Sequence, residues 1–128
     1  MVSQITEGIK ISVITAYQPQ FSSGDQSHYV FTYDVTIENT SEYTIQLMRR
    51  NWLIFDTNGE IRTVEGEGVV GQQPVLEPGQ SHRYVSGCNL KTTIGKMEGS
   101  YIMERQIDGK LFSVAIPEFT LIAPFKLN

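Results

Sequence analysis

Between Tyr29 and Glu38 the chain alternates with a period of two: Tyr29, Phe31, Tyr33, Val35 and Ile37 fall in one phase, and Val30, Thr32, Asp34, Thr36 and Glu38 in the other. Successive side chains of a strand point to opposite faces, so the pattern predicts a strand with one apolar, aromatic face and one mostly polar face. Upstream, Ile9, Ile11, Val13 and Thr15 alternate with Lys10, Ser12, Ile14 and Ala16. The two runs read as a hairpin joined by a long polar loop from Gln18 to Ser27. From Tyr43 to Asp56 the apolar phase switches, with Ile45 and Leu47 in one register and Trp52 and Ile54 in the other. One extra residue accounts for such a switch, which predicts a β-bulge near Arg49 and Arg50.

Turn chemistry recurs at Asp56-Thr57-Asn58-Gly59, Glu77-Pro78-Gly79 and Asp108-Gly109, each between β-rich runs. Further strands are expected over residues 60–65, 81–88, 96–106 and 110–116, with 118–122 continuing beyond a kink at Pro117. No apolar stripe at helical spacing lasts three turns. Seven to eight short strands with one core Trp predict an all-β chain: an immunoglobulin-like or fibronectin type III-like sandwich of two antiparallel sheets. The run from Leu76 to Gly79, followed by Tyr84, reads as a turn entering a strand anchored by an aromatic.

Composition narrows the class. The 128 residues suit one domain over 1–128, and 40% hydrophobic against 19% charged residues supplies a core of ordinary size. The net charge is −4, and the ten Lys and Arg residues are scattered, which argues against a dedicated nucleic-acid surface. Cys88 is the only cysteine, so an intrachain disulfide and a Cys-rich zinc site are both excluded. No apolar run approaches the roughly 20 residues of a membrane span, and the expected location is the cytoplasm.

One segment carries a motif. Gly66-Glu67-Gly68-Val69-Val70-Gly71 satisfies Gly-x-Gly-x-x-Gly, the dinucleotide-binding pattern. That chemistry needs a helix opening after the glycines, whose N-terminus supplies oriented N–H groups to the phosphate. Gln72, Gln73, Pro74, Glu77, Pro78 and Gly79 follow instead, so the Rossmann reading fails. Two readings stay open. Gly66, Gly68 and Gly71 permit positive φ and close packing where a strand leaves its sheet, or their amides form a nest that holds phosphate or carboxylate without a helix. Glu65 and Glu67 oppose a bare anion, since like charges about 6 Å apart repel by roughly 3 kcal/mol at an effective dielectric of 20. Arg49, Arg50, Arg62 or Arg83 would offset this if folding brings them near, as would a divalent cation carried in with a nucleotide.

No catalytic constellation is visible. His28 and His82 are far apart in sequence, and a Cys88–His82 pair in one strand would be about 20 Å apart, beyond hydrogen-bond reach. Glu65, Glu67, Asp56 and His82 are the nearest candidates for an oxygen-rich cation site, although acids this close are commonly just solvated; no resident metal and no cofactor are expected. Arg50 and Trp52 share a strand face, where the guanidinium either stacks on the indole or points to a ligand at the sheet edge.

The segments Arg50-Asn51-Trp52-Leu53-Ile54, Val64 to Pro74 and Leu76 to Gly79 closely resemble the bacterial ApaG family. Tyr84 to Cys88, Met97 to Tyr101 and Phe112 to Pro117 extend the resemblance over nearly the whole chain. It implies a fibronectin type III-like sandwich, in a family whose domain also occurs in eukaryotic F-box proteins and in a DNA polymerase delta-interacting protein. Those contexts imply interaction rather than catalysis. The family is also linked to cobalt resistance and magnesium efflux, and its glycine segment to nucleotide or pyrophosphate. The expected function is a non-enzymatic module that binds a protein partner; the alternative is a protein that holds a nucleotide or pyrophosphate at Gly66 to Gly71.

Overall fold

A computed structural model of the chain describes residues 1–124. Nine strands form: β1 (Val2–Thr6), β2 (Ile9–Tyr17), β3 (Tyr29–Asn39), β4 (Ile45–Asp56), β5 (Ile61–Glu67), β6 (Val75–Leu76), β7 (Ser81–Leu90), β8 (Ile94–Arg105) and β9 (Lys110–Ile122). A single 3-10 turn, Pro19–Phe21, lies in the loop between β2 and β3. None of the described residues forms a helix long and apolar enough to cross a membrane. One sheet has the order β1-β2-β3-β7; the other has β5-β4-β8-β9, with β6 also paired to β4. Every pairing is antiparallel.

The alternating phases become the two faces of each sheet. Phe31, Tyr33, Val35 and Ile37 point inward from β3, and Ile9, Ile11 and Val13 do so from β2. They meet Trp52, Met97, Tyr101, Ile116 and Leu121 from the other sheet in one core. Trp52 sits at its centre, edge-on to Tyr33, Tyr101 and Phe119 at centroid separations of 5.2, 6.4 and 5.8 Å. Such edge-to-face packing suits the ring quadrupoles.

The predicted bulge is present. Register between β4 and β8 shifts between Leu47 and Arg49, so Met48 is the extra residue, and inward pointing passes from Leu47 to Trp52. Pro117 leaves β9 unbroken: Met97 pairs with Phe119 and Gly99 with Ile116, so Pro117 and Glu118 together face Glu98. A bulge is where a residue without N–H costs the ladder nothing. Two strands escaped prediction. β1 returns into β2 through Glu7 and Gly8, both at positive φ (47° and 79°), a mirror-image turn that Glu-Gly signals weakly. β6 is two residues long and pairs with Ile45 and Gln46.

Candidate functional site

The rims of the sandwich differ. On one, β1 and β2 pack across β9, and Thr6 Oγ1 accepts a 3.3 Å bond from the Ala115 amide. On the other, β5 and β7 are both terminal strands of their sheets. Between them opens a cleft of two adjoining depressions of about 230 Å³ each, which share Tyr33, Arg50, Trp52 and Ser86. Arg62, Val64 and Cys88 line one depression; Val69, Val70, Gly71 and Tyr84 line the other.

The glycine segment interrupts a sheet edge. β5 and β6 pair with the same edge of β4, at Arg49 to Phe55 and at Ile45 to Gln46, and between them the chain leaves the sheet where Met48 bulges. The Gly68 amide and Gln73 Nε2 both donate to the Met48 carbonyl at 3.0 Å. Val69 and Gln72 exchange backbone bonds of 2.8 and 3.0 Å around Val70 and Gly71, whose φ values are 47° and 75°. A β-branched residue at positive φ is a rare, strained conformation, held here by the flanking bridge.

Each motif glycine has its own role. A Cβ on Gly68, at φ 64°, would lie 2.2 Å from the Gln72 carbonyl oxygen. One on Gly66 would lie 2.8 Å from the Arg50 guanidinium, which passes directly over it. One on Gly71 would meet open space, so only its backbone conformation asks for glycine. The Gly68 and Val69 amides are thus already bonded within the fold.

Arg50 and Arg62 both enter the cleft. Arg50 Nη1 donates to the carbonyls of Glu67 and Gly68 at 3.0 and 3.1 Å, tying the end of β5 to the turn. Its bonds go to these carbonyls and not to the indole face: the cation–π pairs among the described residues are Lys96 over Phe55 and Arg105 over Tyr43. Arg62 reaches across to β7, where Nη2 donates to the Asn89 carbonyl and stands 3.8 Å from Cys88 Sγ. Burial pushes the Cys88 thiol above its ordinary pKa, with Arg62 opposing. The thiol is therefore protonated at neutral pH and a poor nucleophile.

Behind the arginines lies a phenolic layer. Tyr84 and Tyr101 share a hydrogen bond between their hydroxyls across the two sheets. Burial raises the pKa of both, and of Tyr33, for which the Ser86 side chain opposes the shift. Trp52 Nε1 is the one fully buried side-chain polar atom among the described residues without a hydrogen-bond partner. The indole packs against three aromatic rings, which offer an N–H only weak acceptors.

The remaining predicted residues lie elsewhere. Arg83 faces outward from β7 and grips Asp34 of β3 through Nε and Nη2 at 2.8 and 2.5 Å, so it is not brought to the glycines. Glu65 and Glu67 alternate with Arg62 and Val64 and so face away from the cleft; the partner of Glu65 across the ladder, Asn51, lines the outer face beside Glu98. The repulsion expected from those carboxylates is thus directed outside. Asp56 accepts from the Lys91 amide at 2.7 Å and from the Thr92 hydroxyl. His82 stacks on Tyr84 with centroids 6.4 Å apart, and His28 lies in the β2–β3 loop beside Ser23. Among the described residues no three His, Cys, Asp or Glu side chains are placed to hold a metal ion.

Sequence reasoning missed Ser86 and Tyr33 as cleft residues, although both alternate inward on their strands beside residues recognised as core. What it lacked was the pairing of β3 with β7, which brings Tyr33 opposite Ser86.

Comparisons with known proteins agree with this architecture. The family model described as "ApaG domain" matches residues 19–105. A Protein ApaG from Beijerinckia indica is 47% identical over 98% of this chain and 95% of its own, and one from Brucella canis is 46% identical over 97% and 95%. A crystal structure from Bordetella pertussis, described as an ApaA protein, superposes with a TM-score of 0.87 at 42% identity over 92% of this chain and 95% of that one. With the family model covering residues on both sides of the cleft and the relatives matching almost end to end, the chain belongs to the ApaG family.

Proposed function

We propose that the chain is a non-catalytic, cytoplasmic binding module that engages a protein partner along its open β5/β7 rim. One observation carries the reading: two terminal strands flank an open cleft there, and Ile61, Val64, Val70 and Val85 are exposed on or beside them. Exposed strand edges are templates for pairing with another chain, and apolar side chains beside them supply area to bury. The link to cobalt and magnesium implied by the family resemblance then runs through the partner. A photo-crosslinker at Val64, compared with one at Ile107 on a distant hairpin, tests the assignment in cells. A defined protein adduct is expected only from Val64; no adduct above background from that rim rules the reading out.

A phosphorylated small ligand is the second reading, favoured by Arg50 and Arg62 lining the same cleft as Gly71. Saturation counts against it, because Arg50 already donates to the Glu67 and Gly68 carbonyls, Arg62 to the Asn89 carbonyl, and the Gly68 and Val69 amides are bonded within the fold. Calorimetric titration with pyrophosphate and with nucleotides, with and without magnesium, decides it. No heat at millimolar ligand ends this alternative.

A further inference from the structure

We propose that β5 is a template for strand addition, and that its charges select an extended segment with acidic or apolar side chains on its inward face and basic ones on its outward face. The inference rests on the protein-binding reading above and specifies its mode.

Hydrogen-bond parity shows which backbone groups are open. The ladder between β4 and β5 is bracketed by the Asp56 amide on the Glu60 carbonyl and the Gly68 amide on the Met48 carbonyl. In an antiparallel pair, hydrogen-bonded and non-bonded positions alternate. The even-numbered residues of β5 therefore bond to β4, and Ile61, Thr63, Glu65 and Glu67 direct their N–H and C=O groups away from it. Arg50 already occupies the Glu67 carbonyl. The open length runs from Ile61 to Glu65, all of it exposed.

Side-chain parity then defines the partner. Residues directly opposite in a ladder share a face, and opposite charges there attract while like charges repel. A strand added to β5 would place one set of side chains beside Arg62 and Val64 at the cleft mouth, and the alternate set beside Glu65 and Glu67. A second copy of β5 meets this poorly. Paired antiparallel about Val64, it sets Arg62 against Gly66, Glu65 against Thr63 and Glu67 against Ile61, so no charge gains an opposite one. The charges that keep such an edge from pairing with itself are the same ones that choose a different partner.

The test uses the isotope-labelled full chain and the peptide Lys-Ser-Lys-Val-Thr-Glu-Val, which matches β5 when antiparallel to it. With peptide at about nine times its Kd, exchange of the Ile61, Thr63 and Glu65 amides is expected to slow about tenfold. The charge-reversed peptide Glu-Ser-Glu-Val-Thr-Lys-Val should bind at least about tenfold more weakly. Thr63→Pro removes an amide that β4 does not use and should abolish binding with the fold intact. The double substitution Glu65→Lys and Glu67→Lys is independent of any proline effect and should shift preference toward the charge-reversed peptide. Unprotected amides or equal binding of both peptides would each overturn strand addition by such a segment, and dimers that Thr63→Pro dissociates would overturn the choice of partner in favour of a second copy. If a partner crosslinks at Val64 but ignores Thr63→Pro, the binding module survives and this mode does not.

Discussion

The two rims of the sandwich are made from similar strands and end in opposite conditions. At the β1/β9 rim, Ile9, Ile11, Val13, Val114 and Leu121 are at most 1% exposed, and a side chain of β1 bonds to the backbone of β9. At the β5/β7 rim, Arg50, Arg62 and Ser86 occupy inward positions, and every residue from Ile61 to Glu65 is exposed. An inward arginine holds two sheets apart where an inward isoleucine draws them together, because a guanidinium keeps its hydration or its carbonyl partners while an aliphatic chain gains by leaving water. One rim therefore carries stability, and the other remains available to a partner.

Substitution at matched inward positions breaks this contrast most directly. Ile11→Ala should cost about 2 to 5 kcal/mol in urea unfolding, as for a fully buried aliphatic side chain. Val64→Ala, on the open rim, should cost less than about 1 kcal/mol. Equal losses would show that the cleft is closed in solution.

The glycine turn supplies a sharper version within one segment. Gly68→Ala should lower stability by about 2 to 3 kcal/mol, from positive φ together with the collision at the Gln72 carbonyl. Gly71→Ala, strained in the backbone alone, should cost about 1 kcal/mol. A functional ligand loop with no architectural duty would reverse that order, losing binding at Gly71 with stability unchanged at both.

Alkaline titration probes the phenolic layer between the rims. Tyr33, Tyr84 and Tyr101 all have pKa values raised by burial above the ordinary 10. Above pH 10 the unfolded chain releases these protons while the folded one keeps them, so stability falls as pH rises. The slope is up to about 1.4 kcal/mol per pH unit for each tyrosine. Tyr101→Phe should flatten that slope, which denaturant midpoints between pH 9.5 and 11 would read.

The smallest effect is expected at the hairpin between β8 and β9. Arg105 holds the Asp108 carboxyl down at about 2, with the Lys110 amide assisting. The folded value lies below the ordinary 3.8, so this contribution is complete above pH 4 and is lost as pH falls toward 2. The pair is solvent-exposed, so Asp108→Asn should alter the acid limb of the stability profile only slightly.

Much of the fold was legible in local pattern. Period-two alternation located β2, β3, β7 and most of β4, β8 and β9, because one covered face writes itself into every second residue. The phase switch in β4 placed the bulge within one residue, and Pro-Gly and Asp-Gly located two turns, at Gly79 and Gly109, where φ is positive. β1 was hidden because all but one of its residues are exposed, which leaves no apolar phase to read. β6 was too short to show a period.

The candidate site was legible only as an inventory. The sequence by itself determined an all-β sandwich, the absence of a helix after the glycines, and a supply of arginines; these follow from side-chain chemistry and short-range spacing. Tertiary structure decided which arginines count, since β5 lies at one end of its sheet and β7 at the end of the other. That arrangement brings Arg50 and Arg62 into a common cleft and leaves Arg83 on the outer face with Asp34. It also gave the glycines their duty, because Gly68 is required by the Gln72 backbone carbonyl and Gly66 leaves room for a guanidinium from another strand. The Arg50 contact and the cleft itself depend on the pairing of strands distant in sequence, which local alternation does not encode.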